Sequence, residues 1–167
     1  MTLISIVGIA LLWAVVVLAL GKRRLQALAA HVAAAWSRLQ AALEKRHELG
    51  RQMVANAARP DDPPILALHD ALTQAEFLSG FAMKARTENQ LSQGLRDALA
   101  VGGEDRFMEA AMSLPRVFEA MQHAAGDYNA QVRNLNAALE RQAIVARVFH
   151  YEPREEFYLE AMEGEKS

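Results

Sequence analysis

Residues 107–149, FMEAAMSLPRVFEAMQHAAGDYNAQVRNLNAALERQAIVARVF, decide the fold of this chain. A series of residues recurs in this stretch in alternating steps of four and three across six heptads, and Gln142 is its one polar member. A period of 3.5 residues predicts a helix that packs along a left-handed seam, in a coiled coil or in an antiparallel bundle. The seam comprises Phe107, Ala111, Leu114, Phe118, Met121, Ala125, Tyr128, Val132, Leu135, Leu139, Gln142, Ala146 and Phe149.

Two turns separate this helix from the other apolar stripes of the chain. Prolines and aspartates at 60–64 predict the first turn, and Gly102 with Gly103 predicts the second. Because both turns are short, the helices on either side of each turn should be antiparallel neighbours. The predicted fold class is all-α, with an antiparallel bundle of three long helices and a short C-terminal helix, over about 25–58, 64–101, 104–149 and 153–162.

An uncharged apolar run of 18 residues, broken by Ser5 and Gly8, extends from Leu3 to Leu20. A helix needs about 17–25 such residues to cross a hydrocarbon core of about 30 Å, so the run predicts a transmembrane helix that continues into the bundle. Positive charge stays on the cytoplasmic side, and the basic residues that follow the run therefore orient this helix. They are Lys22, Arg23 and Arg24.

These features predict a membrane anchor over residues 1–24 and a helical bundle domain over residues 25–167. The expected location is the inner membrane, with a single pass and a cytoplasmic bundle. The alternative is a cleaved signal peptide, which would place the bundle in the periplasm, but a signal peptide carries its basic residues before the apolar run.

Composition and charge exclude several classes of partner and chemistry. Apolar residues make up 52% of the chain, and no cysteine is present, which rules out disulfides and thiolate chemistry. Three of the 18 Lys and Arg lie in the basic triplet. The rest of the chain therefore has 15 basic residues against 20 Asp and Glu, and its net charge is negative. Nucleic acid is therefore a poor candidate partner, because duplex binding needs a cationic surface.

Glu44 and His47 form a Glu-x-x-His pair, the spacing found in the di-iron sites of helical bundles. Such a site needs a second pair and two further carboxylates, which the sequence does not offer. The alternative is a solvated helix face, and the same interpretation applies to the charge run Glu44, Lys45 and Arg46. We expect no metal, no cofactor and no catalytic residue, and a metal-binding enzyme is only a remote alternative.

A polar group on the third helix is the other candidate for function. Tyr128 lies on the seam, and Asn129, Arg133 and Asn136 share a neighbouring stripe close to Asn134. A buried polar network that locks the helices is the preferred interpretation, with a ligand site as the alternative.

Three motifs together resemble the LemA family of bacterial membrane proteins. Two of them are similar to the family's Ala-Trp-Ser motif with a following basic pair and to its Tyr-Asn-x-x-Val-Arg motif. The third resembles the family's aliphatic segment and closing aromatic pair. In this chain the motifs are Ala35-Trp36-Ser37 with Lys45-Arg46-His47, then Tyr128-Asn129-x-x-Val132-Arg133-x-x-Asn136, and Ile144-Val145-Ala146 with Phe157-Tyr158.

The chain also departs from the family pattern. Leu39-Gln40-Ala41 stands where the family usually has Ile-Asp-Val, and Thr87-Glu88-Asn89 spells a family tripeptide at the wrong distance from Tyr128, which we interpret as coincidence. The resemblance implies a divergent member: an all-α bundle on one N-terminal span, without known catalysis.

The leading functional hypothesis is a non-enzymatic, membrane-anchored scaffold or adaptor that binds partner proteins. The alternative is a membrane organiser that assembles into a homo-oligomer along the seam of its third helix. Trp36, on the stripe of the first helix, should be a core anchor of the bundle.

Overall fold

The computed structural model describes residues 3–77 and 81–159. In that part of the chain the only β-type pairing is an isolated bridge between Ala57 and Gly103, so the predicted all-α class is confirmed. Residues 151–159 have no regular secondary structure. The helices are α1 (Leu3–Ala55), α2 (Pro63–Phe77), α3 (Phe81–Leu99), α4 (Asp105–Arg141) and α5 (Ala143–Val148).

The predicted transmembrane helix is not found. Among the described residues, no helix is both long enough and apolar enough to cross a membrane. The prediction of a single-pass span over Leu3–Leu20, oriented by Lys22, Arg23 and Arg24, is therefore wrong, and the side chain of Leu3 lies outside the described part.

The chain divides into two compact units. The first comprises Met1–Ala35 and Asn129–Glu156, and the second comprises Trp36–Tyr128 and Phe157–Ser167. α1 and α4 each contribute residues to both units.

In the first unit, α1 and α5 approach closely at Gly21. A Cβ atom at Gly21 would lie 2.8 Å from Cγ2 of Val145, so a side chain at this position would force α5 to move. Lys22 supports the same contact, because its Nζ lies 4.8 Å from the centre of the Phe149 ring. The buried apolar residues of this unit are Leu25, Val32, Ala35, Val132, Leu135, Ala138, Leu139, Val145 and Ala146.

In the second unit, α2 and α3 pack against each other and against α1. Gly94 of α3 permits this packing, since a Cβ atom there would lie 3.4 Å from the Cα of Leu68. The predicted seam of the third helix is largely buried here. The core includes Leu39, Leu43, Leu49, Met53, Ile65, Leu68, Leu72, Leu91, Leu95, Phe107, Leu114, Phe118 and Met121.

The observed helix limits differ from the predicted ones at three places. The helix predicted over 104–149 is divided into α4 and α5 at Gln142. The helix predicted over 64–101 is represented by α2 and α3, and residues 78–80 lie outside the described part. The short helix predicted over 153–162 is absent from its described portion, residues 153–159, where backbone groups of Arg154 bond to a side chain of α4. Residues 160–162 are not described.

The two predicted turns meet in the second unit. Glu104 donates its backbone N–H to the carbonyl of Asn56 at 3.1 Å, beside the bridge between Ala57 and Gly103. Gly102 has a φ of 74°, which favours glycine. Gly103 leaves no space for a side chain, because a Cβ atom there would overlap the Phe107 ring and lie 2.6 Å from the carbonyl oxygen of Asn56.

This crowding predicts opposite effects for two glycine substitutions. Gly103→Ala should lower the free energy of unfolding by about 1–3 kcal/mol, since the added methyl group overpacks the junction. Gly126→Ala, on α4 with nothing within 4 Å of the new Cβ, should raise it by about 0.5–1 kcal/mol. Urea unfolding of both variants measures the difference. Equal effects at the two positions would contradict the packing described here.

Candidate functional site

Two fully buried charges face each other across α1 and α3. Arg46 on α1 and Glu88 on α3 are both 0% exposed, and Nη2 of Arg46 donates a hydrogen bond to Oε2 of Glu88. Nη1 of Arg46 donates to the hydroxyl of Ser92 at 2.7 Å, and that hydroxyl donates in turn to the backbone carbonyl of Glu88 at 3.0 Å. An arginine on one helix that bonds to two side chains of another helix fixes the two helices in position and in register.

His47 completes the arrangement, which we call the Arg46 cluster (Arg46, His47, Glu88 and Ser92). Its Nε2 lies 3.1 Å and 3.0 Å from the two carboxylate oxygens of Glu88. Its Nδ1 lies 3.8 Å from a carboxylate oxygen of Glu44, which is exposed. Both oxygens of Glu88 are therefore engaged by groups of α1.

A residue of α4, Phe118, also contacts the cluster. The guanidinium carbon of Arg46 lies 5.7 Å from the centre of the Phe118 ring, a distance typical of a cation–π contact. Nε of Arg46 is buried and has no hydrogen-bond partner among the described residues. The ring of Phe118 thus provides part of the electrostatic stabilisation that burial removes from the guanidinium.

The environment keeps this pair ionised. Burial raises the pKa of the Glu88 carboxyl, but the hydrogen bond to His47 and the charge of Arg46 outweigh that effect and hold the pKa below its ordinary value of 4.5. Burial also lowers the pKa of the Arg46 guanidinium from its ordinary value, and Glu88 opposes this change. The guanidinium stays protonated, because arginine is not deprotonated in proteins.

The interpretation of the charge run around Glu44 as a solvated face is wrong for two of its neighbours. Arg46 is 0% exposed and His47 is 5% exposed, whereas Glu44 faces solvent. The tripeptide that contains Glu88, interpreted as coincidence, supplies the partner of both residues.

A signal in the sequence could have located the cluster. Positions 39, 43, 46, 50 and 53 continue the heptad steps of α1, and Arg46 occupies the middle one. In α3, Glu88 likewise lies on a series of three- and four-residue steps, with Leu91, Leu95 and Ala98. A charged residue at a seam position of each of two neighbouring helices predicts a buried pair.

The cluster is suited to holding helices and not to acting on a substrate. Solvent does not reach either member of the ion pair, and both oxygens of the carboxylate are occupied. Within the described residues, no three His, Asp or Glu side chains lie close enough together to hold a metal ion, so the Glu-x-x-His pair has no further ligands there.

Trp36 and Tyr128 form an aromatic cluster in the second unit. The ring of Trp36, which is half-buried, lies 5.3 Å from the Tyr128 ring and 5.6 Å from the ring of Phe157. Nζ of Lys84 lies 5.7 Å from the centre of the Trp36 ring. Ser37, the other residue of the Ala-Trp-Ser motif, is exposed.

The remaining motif residues lie in the first unit. Asn129 and Val132 are buried. Arg133 donates a hydrogen bond to Glu156 at 2.7 Å, and Asn136 bonds to the backbone of Arg154. Arg133 and Asn136 therefore bond to the C-terminal segment, a contact that the stripe on α4 did not indicate.

No family model matches the chain, and no curated protein matches it either. The resemblance of its three motifs to the LemA family stays a prediction.

Removal of the carboxylate charge should destabilise the protein strongly. Glu88→Gln keeps the shape of the side chain but leaves the guanidinium of Arg46 buried without a counter-ion, which costs about 3–5 kcal/mol. Urea unfolding followed by tryptophan fluorescence measures this loss. Glu119→Gln, on the exposed face of α4, is the matched control and should leave the free energy of unfolding unchanged. If both variants unfold like the native chain, the pair does not stabilise the fold.

The same pair predicts a loss of stability in acid. Because the folded-state pKa of Glu88 lies below its ordinary value of 4.5, its contribution is complete above that value and is lost as the pH falls through the folded-state pKa. The stability difference between the native chain and Glu88→Gln should therefore shrink as the pH falls below 4.5 and through the folded-state pKa of Glu88. Unfolding measured between neutral and acidic pH tests this, and a difference that stays constant would show that Glu88 does not titrate as described.

Proposed function

We propose that this protein is a non-enzymatic helical scaffold that binds a partner protein through residues 8–20 of α1. The single observation that carries the proposal is the exposure of this segment. Eight of its large apolar side chains are 40–65% exposed, and the segment contains no charged residue. The exposed apolar residues are Ile9, Leu11, Leu12, Trp13, Val15, Val16, Val17 and Leu20.

The extent of this apolar surface indicates a binding site and not a chance exposure of single apolar residues. Single exposed apolar residues are common, but contiguous apolar patches on a protein surface mark sites of interaction. Trp13, which is 65% exposed, offers the kind of large side chain that dominates binding energy at interfaces. The partner should present an apolar groove, because a helix with apolar residues on all sides is best covered by one.

The placement of ionisable groups supports a scaffold over an enzyme. The strongest grouping of such side chains is the Arg46 cluster, in which the ion pair of Arg46 and Glu88 is closed to solvent. The resemblance of Trp36-Ser37 and Tyr128-Asn129 to LemA motifs supports the same function, since that resemblance implies no known catalysis.

Site-specific photo-crosslinking in the full chain tests the proposal. A photoreactive residue at Leu12 should capture one defined protein in cells, and the purified form of that protein should bind the full chain. The matched control is Met112 on α4, an apolar side chain that is 72% exposed, where the same protein should not be captured.

A binding measurement then separates specific docking from adhesion. Leu12→Asp should weaken the binding of the purified partner by about tenfold or more, because it places a charge in an apolar interface, and Met112→Asp should leave binding unchanged. Capture of lipid alone at Leu12, or of the same proteins at both positions, would contradict the proposal.

A further inference from the structure

The C-terminal segment, residues 151–159, is attached to α4 without any regular secondary structure of its own. In the first unit, two side chains one turn apart on α4 hold the segment, and in the second unit its Phe157, which is 1% exposed, packs against Trp36. Nδ2 of Asn136 donates to the backbone carbonyl of Arg154 at 2.9 Å, and Oδ1 of Asn136 accepts from the backbone N–H of Arg154 at 3.0 Å. This pair of bonds recognises an extended backbone, as a neighbouring strand would.

Arg133 adds a side-chain preference to this backbone anchor. Its Nη1 donates to Oε2 of Glu156 at 2.7 Å, and the Arg133 side chain is 60% exposed while that of Glu156 is 23% exposed. The anchor surface, Arg133 and Asn136, therefore accepts a segment that carries an acidic residue two positions after the bonded backbone. Its groups are accessible from solvent, so a segment can reach it from outside.

The junction before the segment is strained. His150 has a φ of 54°, in the left-handed region that residues other than glycine rarely adopt. It lies between the end of α5 and the segment, and the N–H of Tyr151 bonds back to the carbonyl of Ala146 at 2.9 Å. Release of the segment relieves this conformation and unfolds no helix, but it exposes the buried Phe157, so the released segment is stable only where a second copy takes it up. Strained hinges of this type favour such an exchange between copies.

We propose that the anchor surface binds the C-terminal segment of a second copy of this chain, in exchange for its own. A second copy presents the same Arg154 backbone and the same Glu156 carboxylate, so every bond made within one chain can be made between two. The exchange is reciprocal, because each copy supplies one segment and one anchor surface. It involves a different surface and a different partner from those of the proposed scaffold function.

Charge reversal provides the test in the full-length chain. Arg133→Glu places two acidic groups together within a chain, and Glu156→Arg places two basic groups together. When the two variants are mixed under separate tags, only exchange between unlike chains pairs Glu with Arg at both surfaces. Capture of one variant through the tag of the other should exceed the control mixture by about tenfold.

The control mixture contains the native chain and the double variant Arg133→Glu with Glu156→Arg. These two chains pair their charges internally, and exchange between them would bring like charges together, so they should not be captured with one another above background. Any association through the apolar residues 8–20 is common to both mixtures and cancels in the comparison. Equal capture in the two mixtures would overturn the proposal.

Discussion

The contact between Arg46 and Glu88 is the constraint on which the second unit depends. Two unit charges with no exposed surface are stable only together, because removal of either leaves the other buried without a counter-ion. Apolar residues at the same heptad positions would tolerate small shifts of one helix along another. An arginine that bonds to both Glu88 and Ser92 does not tolerate such shifts. The pair therefore specifies how α1 and α3 align.

The long helices could be predicted from the sequence, because their evidence is periodic and local. The seam from Phe107 to Met121 is buried as expected, apart from partly exposed Ala111, and both predicted turns lie where glycines and prolines indicated them. The absence of a helix over residues 153–159 could not be predicted from the sequence. Arg154 in this stretch bonds to Asn136, 18 positions away, and no local propensity reveals such a contact.

The candidate site was missed for a different reason. Arg46 and Glu88 each look like ordinary surface charges within their own helix, since charged residues are almost always exposed. Only their positions relative to the flanking apolar residues indicate burial, and only the pairing of α1 with α3 brings them together. The predicted membrane span is wrong because no helix among the described residues is both long enough and apolar enough to cross a membrane.

The distribution of polar and apolar groups follows an unusual order in this chain. Charges lie at the centre of the second unit, while apolar side chains face solvent along residues 8–20 of α1. The buried charges fix the helices of the second unit, and the exposed apolar residues are free to contact another molecule. The exposed apolar residues are the basis of the proposed binding of a partner protein.

A double-mutant cycle on the buried pair tests the central claim most directly. Arg46→Met and Glu88→Leu are made singly and together, and the free energy of unfolding is measured in urea. The account predicts that each single change costs about 3–5 kcal/mol and that the double change costs far less than their sum, because it leaves no unpaired charge. Losses that simply add would contradict the claim that Arg46 and Glu88 depend on each other.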